Sequence, residues 1–251
     1  MTGPAPGATA RLTALLDPRR CTRVVLTRHG YTDTLGASAP PVHSVAQRLM
    51  RTSVYSAGYQ LARPLGYRLL AGAIGSGRDS ERARISGLLR LRPGDTLLDI
   101  GCGPGNFTGW FGTGVAPDGL AVGGDASHQM LRRAVHDNSG PTVAYVRGDA
   151  EHLPFADGVA DAVSCLAALY LINEPVRAIT EMARVLRPGG RLVIVTSAAR
   201  GPLLRHPAWE KLSGVTMFDP DEITGYLENA GFGATDRTLS GLAQTVVATK
   251  R

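Results

Sequence analysis

Short apolar runs alternate with amphipathic stretches from residue 96 to the end of the chain. The runs predict strands, and the stretches with helical spacing predict helices between them. Strands are expected at 96–100, 121–125, 142–146, 161–166 and 191–197, and helices at 82–91, 127–138, 174–186 and 220–230. Two last runs, 234–239 and 244–249, are close enough to form an antiparallel hairpin. This order predicts an α/β fold with a doubly wound, mostly parallel sheet that binds its ligand at the carboxyl ends of the strands.

The first 80 residues follow a different pattern. Residues 1–20 are rich in Gly, Pro, Ala and Thr, and we expect them to be frayed apart from a short helix around 11–16. Between 44 and 74 the apolar positions recur with helical spacing, which predicts two or three helices. We therefore expect an arginine-rich, mainly helical N-terminal cap over residues 1–80 and a second domain over 81–251.

The stretch 97–108, LLDIGCGPGNFT, ends a predicted strand in an acid and then places glycines at alternate positions. The acid is Asp99, and the glycines are Gly101, Gly103 and Gly105. Because glycine has no Cβ, this loop can turn sharply and let a ligand lie on its backbone N–H groups. The dinucleotide pattern G-x-G-x-x-G is not met, since an asparagine stands five places after the first glycine.

The pattern Asp-x-Gly-x-Gly-x-Gly resembles the first motif of the class I S-adenosylmethionine-dependent methyltransferases. Residues 124–131 resemble the second motif of that family, and 148–155 resemble its adenine-binding turn. The segments 161–164 and 184–192 complete the pattern. With these matches in the right order over residues 97–195, the chain is identified as a member of this family, similar to its small-molecule, ubiquinone/menaquinone-type subgroup.

The resemblance implies a Rossmann-like fold and S-adenosylmethionine as cofactor, with S-adenosylhomocysteine as product. In the family pattern Asp99 orients the loop or binds the cofactor ammonium, Asp125 accepts from both ribose hydroxyls, and Asp149 accepts from the adenine amine. Asp125 also lies near the spacing of about 20 residues that a ribose-binding acid has in Rossmann-like units. The predicted cofactor contacts are Asp99, Gly101, Gly103, Gly105, Asp125, Ala126, Met130, Asp149, Ala150 and Leu166.

Methyl transfer from a sulfonium depends on positioning, so we expect no metal and treat a general base as optional. The candidate bases nearest the cofactor motifs are His128, His152 and Tyr170, and Tyr170 has the best position, just beyond the fourth strand. The segment 164–169 is apolar where methyltransferases of amide-type nitrogens resemble one another in an Asn/Asp-Pro-Pro-Tyr box. These residues favour transfer to O or C of a small, largely apolar metabolite, such as a natural product of secondary metabolism or a quinone-like compound.

The net charge of +6 is unevenly distributed, with ten arginines against three aspartates in residues 1–80. This excess suits an anionic partner, so an RNA methyltransferase is one alternative function. A protein that binds the cofactor without methylating is another. The favoured interpretation is a solvated arginine-rich surface, so the expected partner is a small-molecule acceptor and not a nucleic acid.

Composition argues against two further classes of protein. There is no apolar run of roughly 18 residues and no continuous apolar segment at the N-terminus, so we expect neither a membrane span nor a secretory signal, and a cytoplasmic location. The three cysteines, Cys21, Cys102 and Cys165, are far apart and lack C-x-x-C spacing, which argues against a disulfide framework and a structural zinc site. The oligomeric state stays open.

The helix after the glycine loop is expected to be short or irregular. Residues 107–115 contain Gly109, Gly112 and Gly114. Each glycine costs roughly 1 kcal/mol relative to alanine in a helix interior.

Overall fold

The alternating pattern forms a nine-stranded sheet in the computed structural model, which describes residues 6–37, 78–199 and 215–251. Within these residues the strands are β1 (Val25–Leu26), β2 (Thr32–Asp33), β3 (Thr96–Ile100), β4 (Leu120–Asp125), β5 (Val143–Arg147), β6 (Ala160–Leu166), β7 (Leu186–Ser197), β8 (Phe232–Ser240) and β9 (Ala243–Lys250). The helices are α1 (Pro6–Leu15), α2 (Arg78–Leu89), α3 (Asn106–Val115), α4 (His128–Asn138), α5 (Pro175–Val185) and α6 (Glu222–Asn229). Short 3-10 helices lie at Pro18–Arg20 and Leu169–Leu171.

The strand order across the sheet is β1-β2-β5-β4-β3-β6-β7-β9-β8. Strands β2 to β7 pair in parallel, whereas β1–β2, β7–β9 and β8–β9 are antiparallel pairs. After β3 the chain moves outward through β4 and β5, and it then returns to β6 on the other side of β3. Such a reversal opens a crevice at the carboxyl ends of the strands. The predicted doubly wound, mostly parallel sheet with a C-terminal antiparallel hairpin is confirmed.

Helices cover both faces of the sheet. Successive strand residues point to opposite faces, so Leu98 packs in a cluster with α1, α5 and α6, while its neighbour Leu97 packs with α2 and α3. A third cluster joins α4 to Tyr31, Val143 and Tyr145. Because the central strands are buried on both faces, they appear in the sequence as continuous apolar runs.

The described part of the N-terminal segment is packed and not frayed, which corrects one expectation. Helix α1 is packed, with Ala8 and Leu12 fully buried on one face, and Leu16 bridges to Phe155. The hairpin β1–β2 extends the sheet through the parallel pairing of β2 with β5. The buried positions of α1 recur every four residues, but the surrounding Gly, Ala and Pro residues obscure this helical spacing in the sequence. The helices expected over 44–74 lie outside the described residues, and the boundary at residue 80 remains a prediction.

Helix α3 is regular over ten residues, in contrast to the expectation of a short or irregular helix. A Cβ at Gly112 would lie 2.3 Å from Val143 Cγ2, and one at Gly109 would lie 3.0 Å from Asn138 Cβ. These glycines therefore let α3 approach β5 and the end of α4 closely. The packing this permits offsets their low helix propensity.

Several element starts also differ from expectation, and helix α2 begins at Arg78 instead of residue 82. Strand β7 begins at Leu186, opposite Ala160, and resumes its regular pairing at Arg191, so the Arg-Pro-Gly-Gly segment between them bulges from a continuous strand. Helix α6 begins at Glu222, with Asp221 as its N-cap residue, and not at position 220. The longest described helix has 12 residues, and no helix in the three described ranges is long and apolar enough to cross a membrane.

Candidate functional site

The glycine loop follows β3 at the place where the strand order reverses. Gly101, Gly103 and Gly105 have φ values of +71°, +53° and +74°, in the left-handed region that favours glycine. A Cβ at Gly101 would lie 2.3 Å from Ala168 Cβ, and one at Gly105 would lie 2.4 Å from the Tyr145 hydroxyl oxygen. A Cβ at Gly103 would meet no described atom within 4 Å. The outer two glycines are thus required by internal packing, whereas the backbone at Gly103 borders open space.

The end of β4 holds the loop in place. Gly101 N and Cys102 N both donate to Gly124 O, at 2.8 and 3.0 Å. Gly103 N donates to Asp125 Oδ2 at 2.9 Å. The predicted ribose-binding acid is therefore joined directly to the central glycine of the loop.

Asp125 connects the glycine loop to the start of α4. Its Oδ1 accepts from Ser127 N at 2.8 Å, and the residue is half-buried. A carboxylate offers about four acceptor sites on its two oxygens, so a half-buried aspartate can accept from several donors at once. Ser127 in turn caps α4, because its Oγ accepts from Met130 N at 3.3 Å. Ala126 is half-buried, and Met130 is buried at 5% exposure.

Asp99 lies beneath the loop, only 2% exposed. Its Oδ2 accepts from Thr108 Oγ1 and its Oδ1 accepts from Ser164 Oγ, both at 2.7 Å. These bonds join β3 to the first turn of α3 and to β6. Of the two roles expected for Asp99, this geometry supports orientation of the loop.

The far side of the loop is held by a residue that sequence reasoning missed. Asn138, the last residue of α4, donates from Nδ2 to Pro104 O at 2.7 Å. The Tyr145 hydroxyl donates to Asn138 O at 2.8 Å, and burial raises the pKa of Tyr145, which keeps that donor protonated. No local pattern indicates these bonds, because Asn138 is 34 positions from Pro104 in the chain.

The turn after β5 contains the predicted adenine contacts Asp149 and Ala150. Asp149 Oδ1 accepts from Glu151 N at 3.0 Å, which closes the turn, and Ala150 is partly buried against the main core cluster. Leu166, the last predicted contact, ends β6 and is half-buried against the cluster beneath α2 and α3. The turn after β5 and the last residue of β6 thus both lie at carboxyl ends of strands in the same parallel sheet.

A buried acid on α5 supports this turn. Glu181 Oε2 accepts from Leu153 N at 2.8 Å, and Arg184 Nη2 donates to Leu153 O at 3.0 Å. Arg184 and Glu181 also pair with each other at 2.8 Å. Burial alone would raise the pKa of Glu181, but the hydrogen bonds and charge of Arg184 outweigh it and lower that pKa. Both backbone groups of Leu153 are therefore anchored to one helix.

The three candidate bases lie on three different elements. The His152 side chain is 56% exposed, with Nδ1 3.4 Å from Asp149 Oδ2. Tyr170 is half-buried in the 3-10 helix after β6, and its carbonyl accepts from Thr216 N at 3.0 Å. His128 begins α4.

The surroundings of His128 are unfavourable for a base. Its Nδ1 lies 2.5 Å from the hydroxyl of Tyr31, which is 2% exposed. Burial raises the pKa of Tyr31, which keeps its hydroxyl protonated, so His128 Nδ1 is engaged in a hydrogen bond with that hydroxyl. Burial and the charge of Arg147 lower the pKa of His128, which favours the neutral ring.

A buried ion pair, also missed by sequence reasoning, connects the N-terminal hairpin to the site. Arg147, the last residue of β5, donates from Nη1 to Asp33 Oδ1 at 3.2 Å and to Gly36 O at 2.7 Å. Its Nε donates to Ala126 O at 3.1 Å, next to Asp125, the predicted ribose-binding acid. The only sequence signal was an arginine at the end of an otherwise apolar strand.

Comparison with known proteins agrees with this geometry. A family model described as a methyltransferase domain matches residues 98–194. The chain is 30% identical over 170 residues to a ubiquinone/menaquinone biosynthesis C-methyltransferase of Teredinibacter turnerae, covering 57% of this chain and 68% of the relative. It is 40% identical over 123 residues to a demethylmenaquinone methyltransferase of Beutenbergia cavernae, covering 49% of this chain and 48% of the relative.

Two solved structures show the same fold. A phosphoethanolamine N-methyltransferase of Haemonchus contortus in complex with S-adenosylmethionine has a TM-score of 0.62 at 16% identity, covering 80% of this chain and 60% of that one. The [4+2]-cyclase SpnF has a TM-score of 0.61 at 20% identity, covering 79% of this chain and 96% of that one. Against most of the curated relatives, this chain spans half or less of the relative's length, from 34% to 50%.

Proposed function

We propose that this chain, which belongs to the class I S-adenosylmethionine-dependent methyltransferases, transfers a methyl group to O or C of a small, largely apolar metabolite. The observation that carries this proposal is the glycine loop, whose open central residue, Gly103, donates its N–H to Asp125. A cap over residues 1–80, a methyltransferase domain over 81–251 and a cytoplasmic location remain part of the proposal.

The residues at the loop fit S-adenosylmethionine. No described atom lies within 4 Å of a Cβ placed at Gly103, so a ligand can lie against the backbone there, and Asp125 is the proposed acceptor for the ribose diol. The turn at Asp149 and Ala150 supplies the acceptor and the backbone N–H that an adenine requires. When bound, the cofactor supplies a methyl group already activated by its sulfonium. The task of the chain is then to hold both reactants in line and to exclude water.

The acceptor is inferred from the segment after Ser164. The Ser164 hydroxyl is already bonded to Asp99, and the five residues that follow, 165–169, have apolar side chains. An amide-type nitrogen would find no side-chain hydrogen-bond partner in that segment, whereas an apolar ring would not need one. Relatives named as C-methyltransferases of ubiquinone and menaquinone biosynthesis support a quinone-like acceptor. Tyr170, directly after this segment, is the proposed base if the acceptor carries a proton.

Calorimetric titration of the full chain with S-adenosylmethionine tests the first step. We expect saturable binding, and we expect Asp125→Ala to abolish it because both ribose hydroxyls lose their acceptor. Asp221→Ala is the matched control, since the Asp221 side chain is 91% exposed at the start of α6. Absence of binding by the unaltered chain, or equal binding by Asp125→Ala, would contradict the proposal.

A cofactor labelled in its methyl group tests the transfer itself. The chain is incubated with a cell extract, and labelled products are identified by mass spectrometry. A labelled apolar small molecule supports the proposal, whereas labelled RNA assigns the activity to nucleic acid. Tight binding without any labelled product would favour a protein that binds the cofactor without methylating. A protein that binds the cofactor without methylating is the second candidate function, because the fold is shared with a [4+2]-cyclase and does not by itself establish methyl transfer.

A further inference from the structure

β1, at one edge of the sheet, and the residue before it carry an apolar patch exposed to solvent. Val24, Val25 and Leu26 are 43%, 41% and 57% exposed. In the three described ranges, the other exposed large apolar side chains are Val176 on α5 and Leu239 on β8, each of them isolated. Large apolar side chains that are exposed together mark an interaction surface more often than isolated ones do.

Positive charge surrounds this patch. Arg23 and Arg28 flank it, and the stretch between Asp17 and Asp33 contains four arginines and no acidic residue. The Arg23 side chain is 44% exposed and its Nε lies 3.9 Å from Asp33 Oδ2, so its charge is partly balanced, whereas Arg28 is exposed. Arg132 on α4 adds to this charge, because burial, Arg132 and Arg28 together lower the pKa of the neighbouring His29. Aliphatic side chains surrounded by basic residues are complementary to a surface that is negatively charged and can also take up apolar groups.

We propose that residues 23–28, the edge segment, bind the surface of a membrane that contains anionic lipid. Val24, Val25 and Leu26 enter the boundary between headgroups and acyl chains, while Arg23 and Arg28 contact lipid phosphates. The backbone groups along the open edge of β1 stay at headgroup depth, where water satisfies them. The proposal does not depend on the methyl transfer proposed above.

A second copy of this chain and a nucleic acid both fit the edge segment less well than a membrane surface does. In an antiparallel pairing of two copies centred on β1, Arg23 of each copy would face Arg28 of the other, and like charges directly opposite are destabilising. Nucleic-acid surfaces use exposed aromatic side chains to stack on bases. Tyr31 is the only Phe, Tyr or Trp residue of the hairpin, and it is 2% exposed.

Vesicle sedimentation with the full chain tests the proposal. We expect the protein to sediment with vesicles of equal parts phosphatidylglycerol and phosphatidylcholine, to bind phosphatidylcholine vesicles more weakly, and to be released by salt. The double variant Val25→Ser/Leu26→Ser is expected to bind about tenfold more weakly. Val176→Ser/Leu239→Ser is the matched control and should bind as the unaltered chain does.

Charge is tested separately. Arg28→Gln is expected to weaken binding to the anionic vesicles about fivefold, since each basic residue near such a surface contributes roughly 1 kcal/mol. Arg92→Gln, an exposed arginine on the loop between α2 and β3, is the control and should have no effect. Thermal unfolding of every variant checks that the fold is intact.

Three results would overturn the proposal. The first is absence of sedimentation with the anionic vesicles, and the second is equal binding by Val25→Ser/Leu26→Ser and the unaltered chain. The third is a different occupant: a dimer seen by light scattering and lost in Val25→Ser/Leu26→Ser, or an RNA mobility shift lost in Arg28→Gln, in either case without binding to vesicles.

Discussion

Arg147 and Asp33 form an ion pair with 3.2 Å between Nη1 and Oδ1, in which the two side chains are 4% and 7% exposed. The pair joins the last residue of β5 to the last residue of β2, 114 positions earlier in the chain. Through its Nε, Arg147 also holds the carbonyl of Ala126, beside Asp125. One buried cation thus couples the N-terminal hairpin to the proposed ribose contact.

Removing that cation should be costly. Arg147→Met is expected to lower the free energy of unfolding by about 3 kcal/mol, because Asp33 is left as a buried charge whose remaining cation is the more exposed Arg23, 3.9 Å away. Asp33→Asn/Arg147→Met should recover part of this loss, since the buried charge is gone while an oxygen remains for the Leu35 and Gly36 N–H donors. Urea unfolding monitored by circular dichroism measures both variants.

The surface ion pair of Arg237 with Asp221 is the control for the buried pair. Its side chains are 27% and 91% exposed. Arg237→Met should therefore change the free energy of unfolding by about 0.5 kcal/mol or less. Equal effects of Arg147→Met and Arg237→Met would mean that the buried pair is energetically unimportant.

The same pair predicts a pH dependence. Burial alone would raise the pKa of Asp33, but N–H donors of Gly36 and Leu35 and the charge of Arg147 outweigh it, so the pKa is lower than in the unfolded chain. A carboxyl group of this kind stabilises the fold above its unfolded pKa of about 3.9, and the contribution is lost as the pH falls through the lower folded value.

Unfolding free energies measured at a series of pH values from neutral to about 3 test this effect. The unaltered chain should lose stability in the acidic part of the series. Arg147→Met should lose less there, because the charge that lowers the pKa of Asp33 is missing. Parallel curves for the two proteins would show that Asp33 does not contribute to the acid sensitivity.

The sheet around the loop was predictable, whereas its supports were not. Strands β3 to β6 were located to within a residue or so, because strands buried on both faces form uninterrupted apolar runs. The start of α4 was visible because Ser127 is a favourable N-cap. Strand β2 has only two residues, and its partner β5 is more than a hundred positions away. No local pattern encodes such a pairing.

The same distinction applies inside the site. The glycines and Asp125 are recognisable because a ligand against the backbone and an acid at a strand end produce a fixed local spacing. Asn138, Tyr145 and Arg147 act through contacts made only after α4 and β5 have packed. Their residue types carry no signal of that role before the fold is known.

Asn138 should affect cofactor binding through the loop. Asn138→Ala removes the donor to Pro104 O, and the loss of one hydrogen bond corresponds to about a fivefold weaker affinity. Asn138→Asp should be worse, because a carboxylate would face the carbonyl oxygen and would also sit unfavourably at the C-terminus of α4. Calorimetric titration with S-adenosylmethionine measures both variants.

Asn229 is the matched control for Asn138, since it is likewise the last residue of a helix, α6, and is exposed. Asn229→Asp shares the effect on the helix end but faces no loop carbonyl. It should leave cofactor affinity unchanged. A similar loss in Asn138→Asp and Asn229→Asp would assign the effect to helix stability and not to loop position.

Gly103→Ala separates ligand contact from backbone strain. A Cβ at this position meets no described atom within 4 Å, so the substitution strains the left-handed backbone by about 1–2 kcal/mol without a clash inside the protein. Gly189→Ala is the control, because Gly189 lies in the bulge of β7, far along the chain from the loop. Its φ is +77°, and a Cβ there also meets no described atom within 4 Å, so the substitution causes the same strain. We expect both variants to lose similar stability in urea, but only Gly103→Ala to lose most of its affinity for S-adenosylmethionine, because its methyl group occupies the space in front of the loop. Unchanged cofactor binding by Gly103→Ala would place the ligand elsewhere.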